Sequence, residues 1–137
     1  MPYPSFAGGC LCGALRYQAD EPPTLMGHCY CADCRKASGS GFIPFAGFGA
    51  AALRISGEVL VHRMTHADGR EAARNSCSAC GGLVFGGPLG ATESHTIYAG
   101  SLDDPSLFKP TIAIFARDRA PWVITPPGLK VFDRMPS

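Results

Sequence analysis

Seven cysteines in two distinct spacings are the residues of this chain best suited to chemistry. Cys29, Cys31 and Cys34 form a C-x-C-x2-C pattern inside His28-Cys29-Tyr30-Cys31-Ala32-Asp33-Cys34-Arg35-Lys36, where one sharp backbone turn would bring three sulfurs to a point. Zinc takes four ligands, with Zn–S bonds of about 2.3 Å, and a catalytic zinc leaves one position to water or substrate. Three cysteines with no fourth nearby match that open arrangement. Cys10-x-Cys12 and Cys77-x2-Cys80, far apart along the chain, would supply a contrasting closed site of four thiolates. The seven cysteines thus divide into four plus three, with none left over.

Disulfides are the first alternative. The count is odd, however, and Met1-Pro2-Tyr3-Pro4 shows no basic region followed by an apolar run, so the expectation is an intracellular, cytoplasmic chain. In a reducing compartment, C-x2-C pairs bind metal or do redox work, and C-x-C neighbours are poorly placed to bridge each other. A thioredoxin-like role for Cys77-Ser78-Ala79-Cys80 would call for a helix after it, where Gly81-Gly82 stand instead. One structural zinc plus three free thiols is the main competitor to two metal sites.

The four-cysteine set would tie two distant segments and contribute folding free energy. The three-cysteine set would hold about one net negative charge around Zn²⁺ and keep a Lewis-acidic position, where water or an incoming thiol would ionise near neutral pH. His28 directly precedes Cys29, but adjacent residues rarely both face one metal, and His62, His66 and His95 are expected in exposed or core roles. Arg35 and Lys36 follow the trio and could receive substrate carboxylates, or simply offset thiolate charge.

The elements that must position these sulfurs are short. The chain has 137 residues, read as one domain over 1–137, and no apolar run approaches the roughly 20 residues of a membrane helix. A net charge of +1 with 17% charged residues gives no reason to expect nucleic acid or an anionic membrane as partner. Seventeen glycines and 12 prolines disfavour helix, so the expectation is a mainly β chain with few short helical turns. Strands are expected after Cys12, over Phe42–Phe48 with a bulge or edge at Pro44, at 53–55 and 58–64, before Cys77, over Leu83–Phe85, over His95–Ala99 and over Thr111–Phe115. A turn is expected at Ala67-Asp68-Gly69-Arg70 and a short helical turn over Asp33–Ala37, while Pro126-Pro127 would begin a tail. Phe42, Phe45 and Phe48 are expected in the core rather than in a pocket.

Gly9-Cys10-Leu11-Cys12-Gly13, His28 through Ser40, and Cys77-Ser78-Ala79-Cys80-Gly81 together resemble the glutathione-dependent formaldehyde-activating (GFA) and centromere protein V family. Ala99-Gly100-Ser101-Leu102-Asp103 and Arg119-Ala120-Pro121-Trp122 are similar to its later landmarks. The resemblance implies a β-tent of antiparallel strands, a structural zinc at Cys10, Cys12, Cys77 and Cys80, and a second, labile catalytic zinc at Cys29, Cys31 and Cys34. It implies a carbon–sulfur lyase that joins a small thiol, glutathione first, to formaldehyde or a related small aldehyde; Arg35 and Lys36, by their place beside the trio, would be the nearest cations for the carboxylates of such a thiol. A non-catalytic zinc scaffold that binds a protein or small thiol is the alternative. Position 30, often histidine in the family, is tyrosine here and would alter the approach to the metal.

Overall fold

The computed structural model describes residues 5–66, 69–90 and 93–136. Met1–Pro4, and Ala67 and Asp68 of the expected turn, lie outside the described residues. Among the described residues, eleven strands form two sheets. The small sheet joins β1 (Ala7–Gly9), β2 (Arg16–Ala19) and β5 (Leu53–Ser56), all antiparallel. The large sheet is built from β3 (Leu25–Cys29), β4 (Ile43–Gly49), β6 (Val59–Thr65), β7 (Glu71–Cys77), β8 (Leu83–Gly86), β9 (Ser94–Tyr98), β10 (Ile112–Ile114) and β11 (Lys130–Val131). Their spatial order is β11-β10-β3-β4-β9-β8-β7-β6. Only the pairings of β10 with β3 and β11 are parallel. One helix, α1 (Ala32–Ser38), lies between β3 and β4.

The mainly β expectation holds, and the period-2 alternation explains how one sheet serves two purposes. Met26, Ala46, Phe48 and Ile97 belong to the core shared with Phe6, Leu15, Tyr17 and Leu102 of the small-sheet side. Phe6 and Phe48 meet there edge to face at 5.6 Å. The opposite face, in register, carries Leu25, Cys29, Ile43, Phe45, Thr96, Tyr98 and Arg74, continued by Ile112 and Ile114 of β10. Ile112–Ile114 is buried throughout, as a strand with parallel neighbours on both sides tends to be.

The chain crosses between the sheets at Gly57, whose φ of 109° only glycine adopts readily and where an added Cβ would lie 2.2 Å from the Ala14 carbonyl oxygen. That crossing sets β6 beside β7, with Val59 opposite Cys77. The 99–103 segment clamps the small sheet: Asp103 N–H donates to the Ala7 carbonyl, Tyr17 and Ser101 hydroxyls meet at 2.8 Å, and Arg16 pairs with Asp103.

At Pro44 the structure takes one of the two expected forms, and at the carboxyl end it differs from the expectation. Pro44 sits in a regular stretch of β3–β4 register, with no bulge, one residue outside the β9 pairing that begins at Phe45. It therefore behaves as a local edge. The expected carboxyl tail instead returns as β11, with Phe132 N–H donating to the Ala113 carbonyl. A two-residue strand has no periodicity for a sequence to display.

Just before Cys77 the β7–β8 register shifts between Asn75 and Ser76. Asn75 is fully buried, and its side-chain amide donates to the carbonyls of Phe85 at 3.2 Å and Gly87 at 2.7 Å. This pins the bulge that aims Cys77. Asn75→Ala removes both donors and is expected to cost about 1–3 kcal/mol, the desolvation of carbonyls left without partners. Urea unfolding of the metal-loaded protein checks it; an unchanged midpoint would show that Asn75 does not hold the bulge.

Candidate metal centres

Two hairpin loops make the first centre. Cys10 and Cys12 lie in the β1–β2 loop and Cys77 and Cys80 around the β7–β8 loop, and their four sulfurs lie within 4.8 Å of one another. Cys10 and Cys12 Sγ are 3.7 Å apart, and Cys12 and Cys77 Sγ 3.8 Å, although Cys12 and Cys77 are 65 positions apart in the chain. Those separations match the edge of a tetrahedron with Zn–S bonds of about 2.3 Å, which is about 3.8 Å. The donor set fits zinc.

Backbone amides turn onto these sulfurs. Leu15 N–H donates to Cys10 Sγ at 3.3 Å, Ala79 and Cys80 N–H to Cys77 Sγ at 3.4 and 3.5 Å, and Gly82 N–H to Cys80 Sγ at 3.4 Å. Gly13 and Gly81, at φ of 84° and 77°, make the left-handed turns behind each pair. The Leu15 amide, with the neighbouring thiols, pulls Cys10 down to about 6. Cys12, although an amide favours its thiolate, is carried up to about 11 by sharing protons with Cys10 and Cys77. Leu11, at the tip of this loop, is 92% exposed.

The second centre is Cys29, Cys31 and Cys34, whose sulfurs also lie within 4.8 Å of one another, with no fourth cysteine, histidine or carboxylate in the group among the described residues. Cys29 ends β3, and Cys31 caps α1, its sulfur accepting the Cys34 N–H at 3.2 Å. The expected helical turn is therefore what brings Cys31 and Cys34 together. Within the trio protons are shared: bonds from the Cys29 and Cys34 thiols pull Cys31 down to about 2. The same sharing pushes Cys29 far above the ordinary thiol range. Cys34, although Cys29 favours its thiolate, is carried up to about 11 by Cys31 and burial. A divalent cation would ionise all three.

All three of these cysteines line a cavity of about 1160 Å³, and none of the first four does. Ile43, Phe45, Ile112 and Ile114 form its apolar wall, and Phe115, held at an unusual φ of 53°, closes one side. Phe48 is buried in the core as expected, Phe45 packs against the cluster of Cys29, Ile43, Ile112 and Ile114 while also lining the cavity, and Phe42 stacks on His28 at 4.3 Å. His66 Nδ1 and Asp33 Oδ2 pair at 2.8 Å in the cavity wall. Arg70, Arg74, Arg117 and Arg134 are its cations, and Arg35 and Lys36 are not among the lining residues.

His28 is buried, with Nδ1 3.3 Å from the Tyr30 hydroxyl, and joins neither cysteine group. Tyr30 is itself wholly buried against His28 and Phe42 and does not line the cavity, so tyrosine at this position does not obstruct the trio. His95 Nδ1 is 3.3 Å from the Gly86 carbonyl, and His62 is exposed.

Arg74 and Tyr98 escaped the sequence reading. Arg74 Nη1 donates to the Tyr98 hydroxyl at 3.2 Å and Nη2 approaches Cys34 Sγ at 3.8 Å. Burial works against the Arg74 charge, but Tyr98 and Cys34 hold its pKa above the ordinary value, and burial pushes the Tyr98 phenol up. The signal available was a lone arginine in the apolar run Ala72-Ala73-Arg74, on the strand leading to Cys77.

The family model described as glutathione-dependent formaldehyde-activating enzyme matches residues 5–118 and so spans both cysteine groups, ending one residue before Arg119. Among solved structures, a Rhodobacter sphaeroides protein is similar with a TM-score of 0.54 and 19% identity, over 71% of this chain and 87% of that one. That likeness concerns the fold. A comparison with curated proteins finds no match. Among the described residues, no helix is long and apolar enough to cross a membrane.

The two centres predict unequal responses to ligand removal. Cys77→Ser loosens the tie between distant hairpins and is expected to impair folding, whereas Cys31→Ser is expected to keep the fold and lose one metal ion of two. Native mass spectrometry with circular dichroism checks both; an unaffected fold in Cys77→Ser would contradict the structural role.

Proposed function

The chain belongs to the glutathione-dependent formaldehyde-activating enzyme family, and from that premise we propose that it is a zinc-dependent carbon–sulfur lyase. It would join a small thiol, glutathione first, to formaldehyde or a related small aldehyde. The observation that carries this reading is the placement of Cys29, Cys31 and Cys34 on the cavity wall while the four-cysteine group stays away from it.

Cys29, Cys31 and Cys34 would hold the second zinc, and Cys10, Cys12, Cys77 and Cys80 the first. When bound, a three-thiolate zinc supplies a position at which a thiol ionises near neutral pH. In the overall reaction a sulfur–carbon bond forms, the carbonyl π pair moves to oxygen, and the thiol proton ends on that oxygen. No oxidant or reductant is needed. His66, tied through Nδ1 to Asp33 in the cavity wall, is the imidazole able to take up and return that proton. The apolar wall of Ile43, Phe45, Ile112 and Ile114 limits water beside the reacting sulfur.

The cavity exceeds the usual small-molecule range of about 300–1,000 Å³, so a tripeptide-sized thiol is accommodated. Arg35 and Lys36 remain candidates for its carboxylates through their place beside the trio, but Arg70, Arg117 and Arg134 line the cavity itself and are better placed. Holding thiol and aldehyde together in such a space gains rate through proximity.

Titration calorimetry of the zinc-loaded protein with glutathione and with S-methylglutathione tests the reading. Binding that requires the free thiol is expected. Equal binding of both would show that sulfur is not taken at the trio, and binding of neither would favour the scaffold.

A further inference from the structure

Arg74 is 8% exposed, and among the described residues no carboxylate lies within ion-pair distance of its guanidinium. Its Nε is buried, with no hydrogen-bond partner among the described residues. A buried cation without a carboxylate is unfavourable unless another negative charge faces it. What faces it is Cys34 Sγ at 3.8 Å, while the Tyr98 hydroxyl fixes the other end of the fork at 3.2 Å. Tyr98 is in turn seated over Gly86, the register partner of Arg74, where an added Cβ would come within 2.8 Å of the hydroxyl.

The two centres handle thiolate charge differently. The closed site draws on backbone amides of Leu15, Ala79, Cys80 and Gly82. The trio has the Cys34 amide on Cys31, the Cys31 amide on Cys29 and, on Cys34, a guanidinium. Three thiolates around a divalent cation leave one net negative charge beside an apolar wall. Arg74 supplies the one positive charge that balances it.

We propose that Arg74, aimed by Tyr98, is the buried counter-cation of the Cys29–Cys31–Cys34 centre and the positioning residue that allows this trio to hold a divalent metal as three thiolates. The inference rests on reading the trio as a metal centre. It goes further by assigning the charge balance of that centre to a residue 40 positions downstream of Cys34.

Anaerobic cobalt(II) titration of the metal-free full chain, followed by thiolate-to-cobalt absorption, tests this, with the closed site as an internal check on folding. The wild type is expected to take two equivalents. Arg74→Met is expected to keep the first unchanged and weaken the second by about 10–100-fold, the range for residues that orient metal ligands. Arg74→Lys is expected to recover most of that loss, and Tyr98→Phe to show a smaller weakening with a shifted cobalt d–d band. An unchanged second site in Arg74→Met overturns the inference, as does an Arg74→Lys no better than Arg74→Met. If Arg74→Met also loses the closed site, Tyr98→Phe decides, and an unchanged second site there overturns it. A single equivalent in the wild type overturns the metal reading and this inference together.

Discussion

Four sulfurs from two hairpin loops converge within 4.8 Å, and that convergence organises the rest of the molecule. Thiolates brought so close repel one another, and thiols there would waste the amides turned toward them, so a cation is the condition under which the meeting is favourable. The tie sits where the small sheet meets the large one: Cys10 and Cys12 follow β1, and Cys77 ends β7 opposite Val59 of β6. The chain crosses between sheets through Gly57 close to the same corner. Without that tie, the β1–β2 hairpin would depend on the core around Phe6, Tyr17 and Phe48 and on the clamp at 99–103.

The large sheet then divides its duties by face. One face packs against the small sheet and the closed centre. The other carries Cys29, Ile43, Phe45, Tyr98 and Arg74 toward an open cavity. The trio therefore lies on a face whose reverse side is the hydrophobic core, backed by β3 and α1, while Cys29, Cys31 and Cys34 line the cavity. Arg74 belongs to the same strand as Cys77, so a single strand contributes to both centres, three residues apart.

Sequence alone revealed the sulfurs well and their surroundings poorly. C-x-C and C-x2-C spacings constrain where sulfurs can go over one or two turns of chain, so both cysteine groups were legible, as was the helical turn joining Cys31 to Cys34. Strand faces were half legible: the alternation in 42–48 is real, but which phenylalanine faces the cavity depends on the β3 and β9 registers, which local pattern does not set. Arg74 and Tyr98 were hidden because their meaning lies in pairing across strands. Arg35 and Lys36 drew attention by adjacency, but α1 places neither in the cavity lining.

Family membership and two cysteine groups able to hold metal ions support the proposed account, in which a closed centre would hold the fold and an open centre would face substrate. Anomalous diffraction at the zinc edge from zinc-loaded crystals tests that division most directly. The account predicts two zinc positions per chain, one bonded to four cysteine sulfurs at about 2.3 Å, the other to Cys29, Cys31 and Cys34 with its fourth ligand supplied from the cavity. A single zinc position, or a second zinc enclosed by four protein donors, would contradict it.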